Sequence, residues 1–216
     1  MKQLSLKNIF QTKVHPVIKT LIINNILCLT GWAFINPIFA VFVLDKIIGS
    51  SLGTIGVCYF IYFVVKGVFQ LIISNYLDKT EGEVDDYFAL LFGQFLNLVV
   101  PLLLLFSQSI VELYLIFFLY GIADALYVPP WNALFTRYIN PKRVSFEWSL
   151  NSTGFNFGSA LAVLIGSSLA AVLGFPLVFI FVAFCQLVSF LILLPLKKYF
   201  YHQKKITPQY YFPLRD

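Results

Sequence analysis

Residues 110–135 read IVELYLIFFLYGIADALYVPPWNALF, and this stretch decides the fold class of the chain. Glu112, near its start, and Asp124, past its middle, are its only acidic or basic residues. An α-helix needs about 20 mainly apolar residues, each rising about 1.5 Å, to cross the hydrocarbon core of a bilayer. The stretch therefore predicts a transmembrane helix that carries the carboxylate of Asp124 inside the membrane.

The rest of the chain has the same character. Its 216 residues are 59% hydrophobic and only 12% charged, whereas soluble domains contain about 45–50% apolar and about 25% charged residues. This composition excludes a water-soluble globular enzyme and an intrinsically disordered chain. The formal net charge is +5, but the basic residues lie in loops between apolar runs. That distribution indicates a lipid bilayer surface, and not a nucleic acid, as the partner.

The same length criterion predicts six membrane spans and an all-α integral membrane protein. Gly174 and Pro176 indicate a tight break between the last two spans, which hydropathy alone would merge. We divide the chain into a segment 1–16, a transmembrane domain 17–196 and a basic aromatic tail 197–216 that we expect to lie on the membrane surface. The predicted spans are 17–44, 53–77, 87–106, 110–135, 149–173 and 176–196.

The basic residues also predict the orientation of the spans. All 15 of them except Lys46 and Lys66 lie before the first span or in its first turn, after the last span, or in the loops on that same side. Positively charged loops stay in the cytoplasm. Both termini are therefore expected to be cytoplasmic, in a multi-pass protein of the cell membrane. The outer loops are too short to hold a soluble active site.

Two charged residues lie deep inside predicted spans, away from the span ends. Lys66 is past the middle of span two, and Asp124 is past the middle of span four. Both spans run from outside to inside, so the two charges are expected at the same depth. Because an ionisable group in hydrocarbon is costly, it commonly marks a substrate or proton path. A structural ion pair that only fixes helix packing is the alternative.

Polar and aromatic residues recur on one face of spans one, two and four at helical spacing. Such faces suit a pocket with an apolar wall and a few polar groups. We also expect Asn36-Pro37 to break or kink span one and Pro129-Pro130 to break or kink span four. The residues that form the three faces are Asn25, Cys28, Trp32 and Asn36; Tyr59, Tyr62, Lys66 and Gln70; and Tyr120, Asp124, Tyr127 and Trp131.

Small residues form a ridge along span five, one at every fourth position. Such a ridge lets another helix approach closely, which matters in lipid because packing replaces the hydrophobic effect there. The partner helix belongs either to a second copy, as we predict, or to the same chain. The ridge consists of Gly154, Gly158, Ala162, Gly166 and Ala170 and continues to Gly174.

Motifs of enzymes and cofactor sites are absent from the sequence. It contains no GxxxxGK[ST] phosphate loop, no HExxH, no GxSxG and no TVGYG filter. Cys28, Cys58 and Cys185 lie within apolar runs without CxxC spacing, so we expect neither a disulfide nor a metal site. The sequence therefore predicts a membrane protein that is not an enzyme and needs no cofactor.

Three segments resemble the major facilitator superfamily of transporters. The first is GIADALYVPP at 121–130, followed by an arginine-containing exit at 133–143. The second is the stretch 148–174, rich in small residues and ending in Leu-Gly-Phe. The third is LDKTEG at 77–82, which resembles the signature loop between helices two and three through Asp78 and Lys79. Ser74 and Glu83 depart from the residues usual in that loop.

The resemblance implies a mechanism and an assembly. In this family, helices one and four line the central path, helices two and five face the other half, and helices three and six are peripheral. Asn36 and Asp124 would then line the path. Because the family normally has twelve spans in two parallel halves, we expect a parallel homodimer of six-helix units. A separate chain that supplies the second half is the alternative. It would move a small solute by alternating access, as a uniporter or coupled to a proton or ion gradient.

Two other classes remain open at this stage. A substrate-binding subunit of an energy-coupling-factor vitamin transporter is also a chain of about this size with six spans. Such a subunit would hold its ligand within one six-helix unit and would need an ATPase partner. The third class is a scaffold without transport, against which the costly charges Lys66 and Asp124 argue.

Overall fold

The computed structural model describes residues 14–79 and 83–202, and these form helices joined by short turns. The segment before residue 14, the tail beyond residue 202 and residues 80–82 of the signature-like loop lie outside the described residues. In chain order the helices are α1 Pro16–Ile35, α2 Phe39–Lys46, α3 Leu52–Leu77, α4 Glu83–Phe106, α5 Ile110–Tyr138, α6 Val144–Leu173, α7 Phe175–Leu193 and α8 Lys197–His202, with a 3-10 turn at Leu194–Leu196 before α8.

Among the described residues, six helical segments are long and apolar enough to cross a membrane, which confirms the predicted all-α fold with six spans. Helix α3 starts at a capping box, in which Ser51 and Thr54 satisfy each other's backbone N–H groups. Ser109 and Glu112 do the same at the start of α5. Glycine 174, with φ of +82°, turns the chain between α6 and α7, as the sequence predicts.

The two predicted proline breaks have different outcomes. Span one is interrupted after Ile35, and a turn that contains Asn36 and Pro37 separates α1 from α2. Span four is not interrupted, because α5 continues through Pro129 and Pro130 to Tyr138. The predicted break in span four is therefore wrong, and the predicted kink stays a prediction.

Four helices, α1, α5, α4 and α7, form a ring of neighbours. Helix α5 packs against α3 and α4, α1 packs against α6 and α7, and α4 packs against α7. Direct contacts between α1 and α5 close the bundle. Helices α3 and α6 lie at the two ends of this arrangement and are the least buried of the six spans.

Glycines set the closest helix contacts. A Cβ atom added to Gly93 of α4 would lie 2.6 Å from the backbone nitrogen of Tyr127, and one added to Gly121 of α5 would lie 2.9 Å from the backbone oxygen of Tyr62. These distances are too short for any larger residue. The backbones of α3 and α4 can therefore approach α5 closely only because these positions are glycine.

The small-residue ridge of α6 packs against α1 of the same chain. Gly154, Gly158 and Gly166 face Ile26, Thr30 and Phe34, respectively, and Ala162 is buried. Ala170 is partly buried against the core. The close packing predicted from the sequence is present, but its partner is α1. The assignment of these residues to a homodimer interface is thus corrected, because an intrachain helix already occupies the ridge.

Candidate functional site

The two charges inside the membrane spans form an ion pair. The Nζ atom of Lys66 on α3 lies 2.8 Å from Oδ2 of Asp124 on α5. The side chains remain 24% and 15% exposed, respectively. The pair is therefore neither sealed in the core nor fully exposed.

Two further side chains complete the surroundings of Asp124. The Tyr62 hydroxyl donates to Oδ2 at 2.5 Å and accepts from Lys66 at 3.0 Å. Asn97 of α4 donates its amide to Oδ1 at 3.4 Å. Asp124 thus has donors from α3 and α4, which is the coordination expected for a charged carboxylate in a low dielectric.

Gly93 and Gly121 make this arrangement possible. Gly121 lies one turn before Asp124 and admits the α3 backbone at Tyr62. Gly93 lies one turn before Asn97 and admits the α4 backbone against α5. Because both close approaches flank Asp124, the polar side chains of three helices reach one point.

An aromatic stack adjoins the ion pair. The rings of Trp32 and Tyr120 are 4.3 Å apart and stacked, and those of Tyr120 and Tyr62 are 4.5 Å apart and stacked. The stack connects α1, α5 and α3 and ends on the phenol that binds Asp124. The Nε1 atom of Trp32 is buried and has no hydrogen-bond partner in the described part of the chain. The apolar wall expected from the sequence therefore carries an available donor.

Tyr127 and Trp131 belong to a second, separate cluster. The Tyr127 hydroxyl donates to Oδ1 of Asn24 at 2.8 Å, and Trp131 donates to the backbone oxygen of Leu21 at 3.2 Å. Asn24 in turn donates to Ser189 of α7 at 2.7 Å. These contacts tie α5 to α1 and α7, and both aromatic residues are buried. They share a helix face with Asp124 but contact different partners.

Asn36 lies apart from the described contacts of the ion pair. It is exposed and forms the C-terminal cap of α1, where its backbone N–H donates to Trp32. Asp78 caps the end of α3 in the same way, and Asp78 and Lys79 are both exposed. Their placement at helix ends accounts for their polarity.

The cytoplasmic end, as assigned by charge, holds contacts that sequence reasoning missed. Asp86 of α4 is buried and forms an ion pair with Arg137 of α5. Glu83 accepts a hydrogen bond from the hydroxyl of Tyr138 at 2.5 Å. The only signal for these contacts in the sequence is that acidic residues come just before span three and an arginine comes just after span four. These contacts fasten α4 to α5 beyond the candidate site.

Asn97 is the other functional candidate that the sequence did not single out. It appears there only as a polar interruption in a peripheral apolar span. Among the described residues, no group of three or more His, Cys, Asp or Glu side chains is placed to hold a metal ion. The polar chemistry of the site is thus a carboxylate, an ammonium, a phenol and an amide.

Comparisons with known proteins agree with this architecture. The sequence profile of the Major Facilitator Superfamily matches residues 21–215. The multi-drug resistance efflux pump PmrA of Streptococcus pneumoniae, from strains TIGR4 and R6, is 23% identical over 185 residues, which cover 85% of this chain and 46% of the pump. This chain therefore spans about half the length of those curated relatives.

A solved structure shows the same fold. The in meso crystal structure of the POT family transporter PepTSo superposes with a TM-score of 0.72 at 18% identity. The match covers 94% of this chain and 41% of that transporter. At this identity the likeness concerns the fold alone. Because the family profile covers nearly the whole sequence, the chain belongs to the Major Facilitator Superfamily.

Proposed function

We propose that this chain is a six-helix unit of a secondary transporter in the cell membrane that moves a small solute by alternating access. The observation that carries the proposal is the partly exposed Lys66–Asp124 pair within membrane-spanning helices. Charged groups at such depth are costly and commonly line substrate or ion paths. The stacked rings of Trp32, Tyr120 and Tyr62 supply the apolar wall that an organic solute needs.

The Lys66–Asp124 pair itself suggests how solute binding is coupled to proton binding. Asp124 and Lys66 neutralise each other, so either a proton on Asp124 or a charged group of the solute competes for the same contact. Protonation of Asp124 frees the Lys66 ammonium, and loss of the proton recaptures it. Such alternation between the proton and Lys66 at the Asp124 carboxylate supports coupling of transport to a proton gradient. Uniport is the simpler case, in which only the solute competes for the Lys66–Asp124 contact.

The transporter also requires a second six-helix unit, and we propose a second copy of this chain. The family relatives are about twice as long, and their two halves are parallel. Helices α3 and α6 are the least buried spans, as an unoccupied interface requires. On α6 the exposed face carries small polar residues, which are poorly suited to lipid; these are Ser145, Ser149, Ser152, Asn156 and Ser167.

Helix α3 offers matching space on its exposed side. A Cβ atom added to Gly56 or Gly67 would meet no atom within 4 Å. This surface differs from the ridge of α6, which packs on α1. We therefore expect Gly67→Leu to weaken the dimer while leaving the fold intact. Native mass spectrometry in lipid nanodiscs measures this, and a wild-type protein that is only monomeric there refutes the homodimer.

A substrate-binding subunit of an ATP-driven complex is the alternative. It would hold its ligand within one six-helix unit and would transport nothing without an ATPase. The match to the facilitator family favours the secondary transporter over this alternative. An assay of this chain alone, in proteoliposomes without ATP, distinguishes the two proposals. Transport there supports the secondary transporter, and its absence supports the binding subunit.

The transport experiment uses probes suggested by the name of the efflux pump relative. Proteoliposomes are loaded with pyranine to record proton movement, and uptake of ethidium is followed under an imposed pH gradient. We expect ethidium movement that collapses when the gradient is removed by an ionophore. If ethidium moves at the rate of empty liposomes, ethidium is not a substrate. If no member of a panel of cationic, anionic and zwitterionic solutes moves either, the transporter proposal fails.

A further inference from the structure

A cavity of about 1140 Å³ lies away from the ion pair, between the start of α1, the loop after α5 and the first turns of α6. At its inner end α1 and α6 are joined, because Asn25 donates to Asn151 at 3.0 Å and Gly154 packs on Ile26. From there the cavity extends along α1 to the start of that helix, at the membrane face that the basic residues assign to the cytoplasm. Residues 16–26 of α1 cover about 15 Å, at 1.5 Å a residue.

One wall of the cavity is apolar and uncovered. It consists of Ile22, Ile23 and Ile26 of α1 and Leu150 of α6. Ile23 and Leu150 are each 40% exposed. An apolar wall beside a few polar groups in a concave site is typical of a binding surface.

A buried carboxylate lines the same cavity. Glu147 is only 3% exposed, and its Oε2 atom accepts the backbone N–H of Asn140 at 3.2 Å. In the part of the chain that the structure describes, no cationic side chain lies within 4.0 Å of Glu147. Burial lowers the pKa of the nearby His15, although Glu147 acts in the opposite direction, and the His15 Nδ1 atom accepts the N–H of Val17 at 3.3 Å. His15 is therefore neutral on that nitrogen and does not balance the carboxylate, whereas buried charges are normally paired.

The described part of the chain ends beside this cavity. Phe200 of α8 is buried, and the centre of its ring lies 6.0 Å from that of Tyr138, which lines the cavity. The segment 203–216 therefore starts at the edge of the cavity, and it reads QKKITPQYYFPLRD. An extended chain spans about 3.3 Å a residue, so Lys205 can lie up to about 16 Å from Phe200. That reach is the length of the cavity.

We propose that the segment 203–216 of this chain binds in the cavity. Lys204 and Lys205 supply the ammonium that pairs with Glu147, and the aromatic run 210–212 covers the apolar wall. A buried ammonium–carboxylate contact is a charge-assisted hydrogen bond, which is stronger than one between neutral groups. Each aromatic side chain can bury about 150–250 Å². The segment thus offers both kinds of group that the cavity leaves without a partner.

Other occupants match the cavity less well. The segment before residue 14 also enters beside it, but that segment has one aromatic residue, Phe10, where the tail has three in succession. A hydrocarbon chain of the bilayer covers the apolar wall but brings no cation to Glu147. Lys19 is exposed at the rim, where water and salt screen its repulsion of a basic segment.

Photo-cross-linking of the full chain identifies the occupant. The protein carries p-benzoylphenylalanine in place of Ile23 and is placed in nanodiscs of phosphatidylcholine, which offer no net anionic surface to the basic tail. We expect mass spectrometry of the digested protein to find cross-links to residues 206–216. Mixing isotope-labelled with unlabelled protein distinguishes a link within one chain from a link between two copies.

A matched control position tests whether the cross-link is specific. Ile180 of α7 is 47% exposed, and the same photo-reactive residue there should give no link to the tail. Cross-links from position 23 only to lipid, to residues 1–13 or to a second copy would overturn the proposal. Equal links to the tail from positions 23 and 180 would overturn it as well.

Variants in the tail test the charge without altering the helix bundle. In Leu214→Cys, the rate of labelling by a water-soluble thiol reagent, corrected for the chain without this cysteine, reports how often the tail leaves the cavity. Adding Lys204→Gln and Lys205→Gln should raise that rate about ten-fold, as the loss of one charge-assisted hydrogen bond implies. Lys79→Gln removes an exposed lysine at the same membrane face and should leave the rate unchanged.

Glu147→Gln tests the other side of the same contact. It keeps an oxygen for the Asn140 N–H but removes the charge, so we expect the same rise in labelling as in the lysine double variant, with no further rise when the changes are combined. An unchanged rate in the lysine double variant, or an equal rise in Lys79→Gln, contradicts the proposal. These two outcomes can be read even if Glu147→Gln does not fold.

Discussion

The Lys66–Asp124 pair makes a quantitative prediction. In Asp124→Asn the ammonium of Lys66 loses its counter-ion and keeps only neutral acceptors, so we expect the free energy of unfolding to fall by about 3 kcal/mol, the lower end for a broken buried pair. In Lys66→Met the carboxylate keeps its donors Tyr62 and Asn97. The loss should then be about 2 kcal/mol, that of one charge-assisted hydrogen bond.

The double variant Asp124→Asn/Lys66→Met leaves no unpaired charge. We expect it to lose less stability than the sum of the single variants, with a coupling energy of about 2 kcal/mol or more. Unfolding in mixed micelles of mild and denaturing detergent measures the stability, and flux into proteoliposomes measures transport. The double variant should fold but should not transport.

A matched control lies elsewhere in the same chain. Asp45 and Lys46 form a contact of 2.9 Å, but their side chains are 57% and 55% exposed, respectively. Their coupling should be at most about 0.5 kcal/mol, because exposed pairs are screened by water. A coupling at Lys66–Asp124 equal to this control would refute the argument from burial. If the double variant transports like the wild type, the pair is structural and the path lies elsewhere.

Four further outcomes follow from other contacts. Gly166→Leu should cost about 3 kcal/mol of stability by overpacking α1 against α6, and loss of the dimer without loss of thermal stability would contradict this. Trp32→Phe should keep stacking but remove the buried donor, so solute affinity should fall while stability in thermal unfolding stays the same; Trp32→Ala should lower both. Asp86→Asn leaves Arg137 unpaired and should lower thermal stability more than the double variant Asp86→Asn/Arg137→Gln does. Equal losses of thermal stability in the two variants would contradict the ion pair. The tail remains a sequence prediction: a cysteine at Lys204 should become less accessible to a water-soluble thiol reagent in anionic lipid, and unchanged labelling contradicts it.

The fold was predictable from the sequence because lipid leaves few alternatives. Every backbone group inside the bilayer needs an internal partner, so each long apolar run becomes a helix. The depth of Lys66 and Asp124 follows from counting residues along two spans of the same direction. Their contact could therefore be expected before any packing was known.

Contacts that depend on which helices are neighbours were not predictable. Asn97 reaches Asp124 only because Gly93 brings α4 against α5. The small residues of α6 indicate a close partner, but their spacing does not distinguish α1 from a second copy. Tyr127 shares a helix face with Asp124 and lies nearly one turn farther along it. The two side chains nevertheless contact different neighbours. Periodicity in the sequence predicts which residues share a helix face. Only the tertiary arrangement determines which neighbouring helix that face contacts.

The adjacent prolines of α5 have a mechanical consequence. Pro129 and Pro130 have no N–H, so the carbonyls of Ala125 and Leu126, which immediately follow Asp124, lack their usual helical donors. Helix α5 thus lacks two consecutive backbone hydrogen bonds directly beyond its charged residue. A bend there has fewer such bonds to break than elsewhere in the helix. A change of charge on Asp124 therefore acts beside the two prolines, the residues at which helices most commonly kink.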